Sequence, residues 1–200
     1  MKETLKCAMI HSYPQEYYNL YLMAKDGFTF REWNNEVIRL ARKISDPDIA
    51  NKFKGNMLEV FAEIFFAQFS ADSEFGLQHD YAPVEIGDDY GVDAKATNVN
   101  GHKSVVQVKY RANPAELISY ADISRTFTSA LCQYHIDDVY KYDHTVFLFT
   151  NGGGVTGAFD TVMQKKTVIL NRAFIASKVD NNVTFWATAY DMIFATMDRV

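Results

Sequence analysis

Between residues 47 and 69, apolar side chains recur three and four positions apart: Phe53, Met57, Leu58, Phe61, Ile64, Phe65 and Phe69. That spacing predicts one long helix with a broad buried face. Upstream, Thr29 stands as an N-cap before Trp33, Val37, Leu40 and Ala41, which predicts a helix over 30–42. Pro14 opens a tyrosine-rich stretch, 16–23, that predicts another. Residues 1–49 therefore read as a helical N-terminal extension. Aromatic stripes are usually core, so packing is their first expected role, with partner or DNA contact the sharper alternative. From 77 to 111 the pattern changes to strands, over 81–86, 92–98 and 104–110. Gly87–Gly91 forms a turn, and Asn100-Gly101 a tight hairpin. Further on, the pattern predicts a helix from Pro114 to about 135, a strand over 145–150 and a glycine loop at 152–154. A short helix near 159–164, a strand over 167–170 and a last helix over 185–197 follow. Helices alternating with strands in this order give an α/β fold with a mixed sheet.

Composition bounds the possibilities without deciding among them. The chain has 200 residues, 48% of them apolar, with 15 Phe and 12 Tyr. That is enough to bury a full core, so disorder is excluded. No apolar run is long enough to cross a bilayer, and residues 1–6 precede no signal-like apolar stretch. The two cysteines, Cys7 and Cys132, follow no CxxC pattern. They read as reduced thiols of a cytoplasmic protein (the host cytoplasm if the chain is phage-encoded) and argue against zinc. His11, His79, His102, His135 and His144 show no paired spacing, and no G-x-S-x-G elbow is present. The net charge of −5 excludes a uniformly basic surface. A nucleic-acid partner would have to meet clustered Lys and Arg, because phosphate contacts dominate such binding.

The chemistry concentrates around the meander. Asp93 follows a turn at a strand start, and Gln107 and Lys109 lie two apart on the next strand, so they share a face. The hairpin lets that face approach Asp93. One carboxylate, one amide oxygen and one ammonium then share a patch. Such a set suits metal-assisted phosphodiester cleavage, since Mg²⁺ prefers oxygen ligands and a bound ion activates water. The backbone carbonyl of Val108 can complete the ligand set, and Lys109 can orient a nucleophile or offset charge. The helix before offers Glu59 and Glu63, at i and i+4, as a further acid or as a solvated face. Taken singly, Asp93 could equally be a strand-end cap and Lys109 a solvated edge. Arg111, Lys103 and His102 are close by in sequence. They are either a phosphate-contacting rim or a solvated surface, and Arg125, with Thr126 beside it on the following helix, is a further candidate DNA contact.

The residues Lys54-Gly55-Asn56-Met57-Leu58-Glu59, then Gly91-Val92-Asp93, then Val106-Gln107-Val108-Lys109 resemble the PD-(D/E)XK, or restriction-endonuclease-like, nuclease superfamily. The first segment is similar to archaeal Holliday-junction resolvases. The other two, with Val146–Asn151, are similar to modification-dependent restriction nucleases. The resemblance covers about 54–179. It implies an αβββαβ core over 50–200, a mixed central sheet flanked by helices, and Mg²⁺- or Mn²⁺-dependent hydrolysis of DNA. It implies metal-ligand roles for Asp93, Glu59, Gln107 and the Val108 carbonyl, with Lys109 as the catalytic lysine. It also singles out Glu59 over Glu63. Val92 replaces the proline of the motif name, and Gln107 replaces an acid, which removes one negative charge. DNA is the expected partner, with a homodimer or a larger fusion partner compatible and no membrane.

Two other readings compete. One is a catalytically inactive DNA-binding or assembly module with the same fold, favoured by Gln107 and the acidic charge. The other is a nucleotide-binding α/β module using Gly152-x-Gly154-x-x-Gly157, with Arg172 beside it. The helix after that loop is short for a βαβ unit, and Ala158-Phe159 excludes a Walker A loop.

Overall fold

The computed structural model describes residues 12–69, 80–84, 90–159 and 161–197. Cys7, His11, His79 and positions 85–89, the end of the first predicted strand and most of the turn after it, lie outside them. Three helices come first: α1 (Pro14–Asp26), α2 (Phe30–Ala41) and α3 (Pro47–Phe69). A meander follows, β1 (Ala82–Pro83), β2 (Ala94–Thr97) and β3 (Lys103–Lys109). Then come α4 (Tyr120–Cys132), α5 (Asp138–Lys141), β4 (Val146–Thr150), α6 (Thr161–Lys166), β5 (Thr167–Leu170), α7 (Arg172–Val179) and α8 (Val183–Met197). The run from α3 to β4 keeps the expected αβββαβ order, with the short α5 added before β4. No described helix is long and apolar enough to cross a membrane.

The five strands form one sheet in the order β1-β2-β3-β4-β5. β1, β2 and β3 pair antiparallel, whereas β3, β4 and β5 pair parallel. β3 is the strand where direction changes. Alternation divides its side chains between two cores. Val106 and Val108 join Phe147 and Phe149 against α1, α2, α3, α7 and α8. Val105 joins Val146 and Leu148 against α4 and α5. Every residue of β4 is buried, as expected of a parallel strand covered on both faces.

The first two helices belong to the main core. Trp33 is fully buried, with ring centroids 4.6 Å from Phe61 and 5.3 Å from Phe30. Thr29 begins α2 with a reciprocal cap. Its hydroxyl accepts from Glu32 N at 3.1 Å, and Glu32 accepts from Thr29 N at 2.9 Å.

Several elements differ from expectation. The predicted strand over 81–86 contributes only Ala82–Pro83 to the ladder among described residues, and Pro83 has no N–H to donate. The helix expected from Pro114 starts only at Tyr120. Asp122 accepts from both the N–H and hydroxyl of Ser119 at 2.7 Å, which fixes the start there. Residues 113–118 instead run against the glycine loop through a parallel bridge between Ile118 and Val155. α5 and α7 were not expected; α7 starts where the Asn171 side chain accepts from Phe174 N at 3.0 Å.

Candidate metal centre

Asp93 lies where the β2–β3 ladder runs out. Its N–H donates to Val106 O at 3.0 Å, and its carbonyl accepts from Val84 N at 2.9 Å. One step further along β3, the edge N–H of Val108 has no strand residue opposite. The Asp93 carboxylate takes its place, Oδ2 accepting from Val108 N at 2.5 Å. The turn before it places Tyr90 at φ 30° and Gly91 at φ 92°. A side chain at Gly91 would also press on Arg125, whose Cγ lies 3.3 Å from the added Cβ.

Gln107 closes the cluster. Its Nε2 donates to the same Asp93 Oδ2, and to Val108 O at 3.3 Å. Its Oε1 faces the Thr126 hydroxyl of α4 at 2.7 Å, and that hydroxyl is also 2.7 Å from Gly91 O. The Asp93 carboxylate, the Gln107 amide and both backbone groups of Val108 thus meet at one point beside the sheet edge. Lys109 is half-buried two residues beyond Gln107, on the same strand face. Its carbonyl is fixed by the Thr150 hydroxyl at 2.6 Å.

α3 presents two acids to two tyrosines, Tyr13 at the N-cap of α1 and Tyr17 within it. Tyr13 OH donates to Glu59 Oε2 at 3.4 Å, and Tyr17 OH donates to Glu63 Oε2. The i, i+4 spacing of each pair makes this a ladder between helices. Burial, then Glu59 and further off Glu16 and Asp93, hold the Tyr13 phenol well above its usual range. Tyr81 is raised likewise by burial and by the charges of Glu63, Asp93 and Glu59. Glu59 and Asp93 therefore act on the same two phenols, although they come from different elements. Glu63 is set apart by its surroundings. Burial pushes its carboxyl up to about 8 against the Tyr17 hydrogen bond, and its Oε1 has no partner. At neutral pH it is a protonated core group, while Glu59 is half-exposed. Among the described residues no three Asp, Glu, His or Cys side chains gather closely enough to hold a metal. Any ion here depends on one or two carboxylates supplemented by amide and backbone oxygens.

The four candidate DNA contacts separate. Arg125 is exposed and packs over Gly91, next to the centre. Arg111 is committed within the chain, pairing with Asp122 at 2.8 Å and Glu116 at 3.6 Å. His102 stacks on Tyr142, centroids 3.5 Å apart, at the hairpin. Lys103 opens β3, five residues before Val108, so about 17 Å of extended strand separates it from the centre. Neither His102 nor Lys103 rims the site, because nearness in sequence along an extended strand is distance in space.

The glycine loop is filled by protein. Ile118 N donates to Gly154 O at 2.8 Å, and Thr156 N donates to Ile118 O at 2.9 Å. A Cβ at Gly152 would lie 2.9 Å from Glu116 O. The glycines admit the 113–118 segment rather than a phosphate, and the loop offers no open cradle.

Sequence reasoning missed Tyr13 and Tyr81, and it took Thr126 with Arg125 as a DNA contact rather than as a partner of Gln107. For Tyr13 a signal existed: Tyr13 and Tyr17 share the four-residue spacing of Glu59 and Glu63. For Thr126 the signal was its place on the helix that follows β3, but the sequence does not say which way its hydroxyl turns.

No family model matches the sequence, and no curated protein is significantly similar to it. One solved structure is similar in fold: the MspJI restriction endonuclease in complex with a 27-mer oligonucleotide, at a TM-score of 0.41 and 15% sequence identity. The match covers 74% of this chain and 33% of that one, so the chain spans about a third of that protein's length.

Proposed function

We propose that this chain is a Mg²⁺- or Mn²⁺-dependent endodeoxyribonuclease, with Asp93, Glu59, Gln107 and the Val108 carbonyl as the ion's ligands. The observation that carries the reading is the convergence of Asp93 Oδ2, the Gln107 amide and Val108 O at one point. Asp93 Oδ2 and Val108 O are hard oxygens, as such an ion requires, and the Gln107 side chain carries a third. An ion held there supplies an activated water and stabilises charge on the attacked phosphate. The residues do the rest. Asp93 is fixed by the Val108 N–H and cannot swing away. Lys109, anchored by its backbone to β4, orients the attacking water and offsets charge on the phosphate. Arg125 beside Gly91 and Lys54, whose ammonium lies 5.9 Å from the Tyr110 ring centre, are the cations we assign to flanking DNA phosphates. The chain could serve alone, as a homodimer, or as the nuclease part of a larger restriction or helicase-linked protein.

The test is incubation with plasmid, linear and branched DNA in Mg²⁺ or Mn²⁺ against a chelator. Wild type nicks DNA only with the ion. Asp93→Ala and Lys109→Ala each lower the rate by roughly 10² or more, with melting temperatures little changed. Undiminished cleavage by both variants would sink the assignment. One observation favours a second reading, an inactive DNA-binding module: the Gln107 amide already satisfies Asp93 without any cation. Absence of any ion-dependent rise in melting temperature would select it.

A further inference from the structure

Thr126 reaches from α4 into the centre with one hydroxyl proton and two oxygens to serve. Gly91 O and Gln107 Oε1 each lie 2.7 Å from its Oγ1. A hydroxyl donates once, so one of these contacts is short of a proton. Across the amide, two acceptors converge on Gln107 Nε2: Asp93 Oδ2 and Val108 O. The NH₂ group occupies the point at which the proposed ion would be bound, and it bridges the same two oxygens.

Turning the amide over reverses both conditions. Nε2 then donates one N–H to Thr126 Oγ1, and the hydroxyl donates to Gly91 O, so the hydroxyl's single proton has one acceptor. Oε1 comes to face Asp93 Oδ2 and Val108 O. Three oxygens together repel unless a cation lies among them, and a divalent ion with oxygen preference fits that set. The two orientations fill almost the same volume, because an amide's N and O are nearly alike in size.

We infer that Gln107 turns over as a divalent cation binds, and that Thr126 is the positioning residue that makes the turn possible by changing from donor to acceptor. This deepens the metal reading above and rests on it. The amide orientation at rest closes the centre, and Thr126 stabilises the open one. Residues that orient a metal ligand through such a contact typically change ion affinity by roughly 10- to 100-fold.

The experiment is calorimetric titration of Mg²⁺ and Mn²⁺ into wild type, Thr126→Val and Thr126→Ser, without DNA. Thr126→Val, which keeps shape but loses the hydroxyl, weakens binding by roughly tenfold or more, and Thr126→Ser recovers most of it. In a Gln107→Glu background the valine change costs no more than about twofold, since a carboxylate presents an oxygen either way up. The wild type supplies a readout independent of folding variants. On adding Mg²⁺, the Gln107 side-chain NH₂ gains nuclear Overhauser contacts to the Thr126 side chain in NMR. Equal ion affinity in wild type and Thr126→Val, or an NH₂ that keeps its ion-free contacts when saturated, overturns the inference while leaving the metal reading intact. A wild type that binds no ion overturns both.

Discussion

At Glu63 the carboxyl has been moved into the core and given a single phenol for company. Folding raises it from its ordinary 4.5 to about 8, with burial the dominant cause. The sign follows from proton linkage. Between about pH 4.5 and 8 the folded chain holds a proton that the unfolded chain has released. The associated stability is complete below the unfolded value and is lost as pH rises through about 8. Urea unfolding at pH 5 and pH 8 should show wild type losing on the order of 1–3 kcal/mol more than Glu63→Gln over that interval. Parallel pH profiles for the two proteins would mean that Glu63 is ionised in the fold. Glu59, one turn earlier, accepts from Tyr13 in the same way but is only half-buried.

Among the elements, α4 shows how one side chain can define an end and a neighbour at once. Asp122 accepts from Ser119 N–H and hydroxyl, and it pairs with Arg111, whose side chain is only 15% exposed. Burial opposes its ionisation, but the Arg111 and Ser119 hydrogen bonds outweigh that and hold its carboxyl down to about 2. The stability it contributes is present above about pH 4 and lost as pH falls through about 2. Asp122→Ala removes the cap and strands a mostly buried guanidinium. Scanning calorimetry at pH 7 should find the melting temperature lowered by roughly 3–10 °C. An unchanged midpoint would place the start of α4 under other control. The helices with strong periodicity and clear caps were legible: α3 was read to its ends, and α2 to within one residue at its far end, because Thr29 and Pro47 mark their starts. The segment 113–118 was misread because Pro114 reads as a helix start, whereas its partner, the glycine loop, lies some 40 residues on. The approach of Gln107 to Asp93 was legible through strand period and hairpin. Its Thr126 contact was not, since it depends on how a later helix crosses β3.

For the whole molecule, the first 49 residues resembled nothing and read as an extension, yet α1 and α2 share the larger core with α3 and the sheet. Removing residues 1–46 would uncover Phe61 and Met57, both fully buried. The remaining chain should lose its cooperative thermal transition, as followed by circular dichroism. Trp33→Ala alone should cost about 3–5 kcal/mol. A shortened chain that melts sharply would show that α1 and α2 are separable after all. The net charge of −5 has its own consequence at this scale, because attraction to a polyanion must come from a few local cations rather than from the field of the whole surface.

The tyrosine–glutamate ladder couples that N-terminal layer to the chemistry. Tyr13 and Tyr17 are carried on a helix that joins the next one through Gly27. A single protease cut in that short connection would leave the peptide chain of the centre untouched. It would nonetheless free α1 to peel off, turn Glu59 and Glu63 loose together, and admit water to a carboxyl that the intact fold keeps dry. The proposed centre would then lose its support from a wound inflicted more than sixty residues before Asp93.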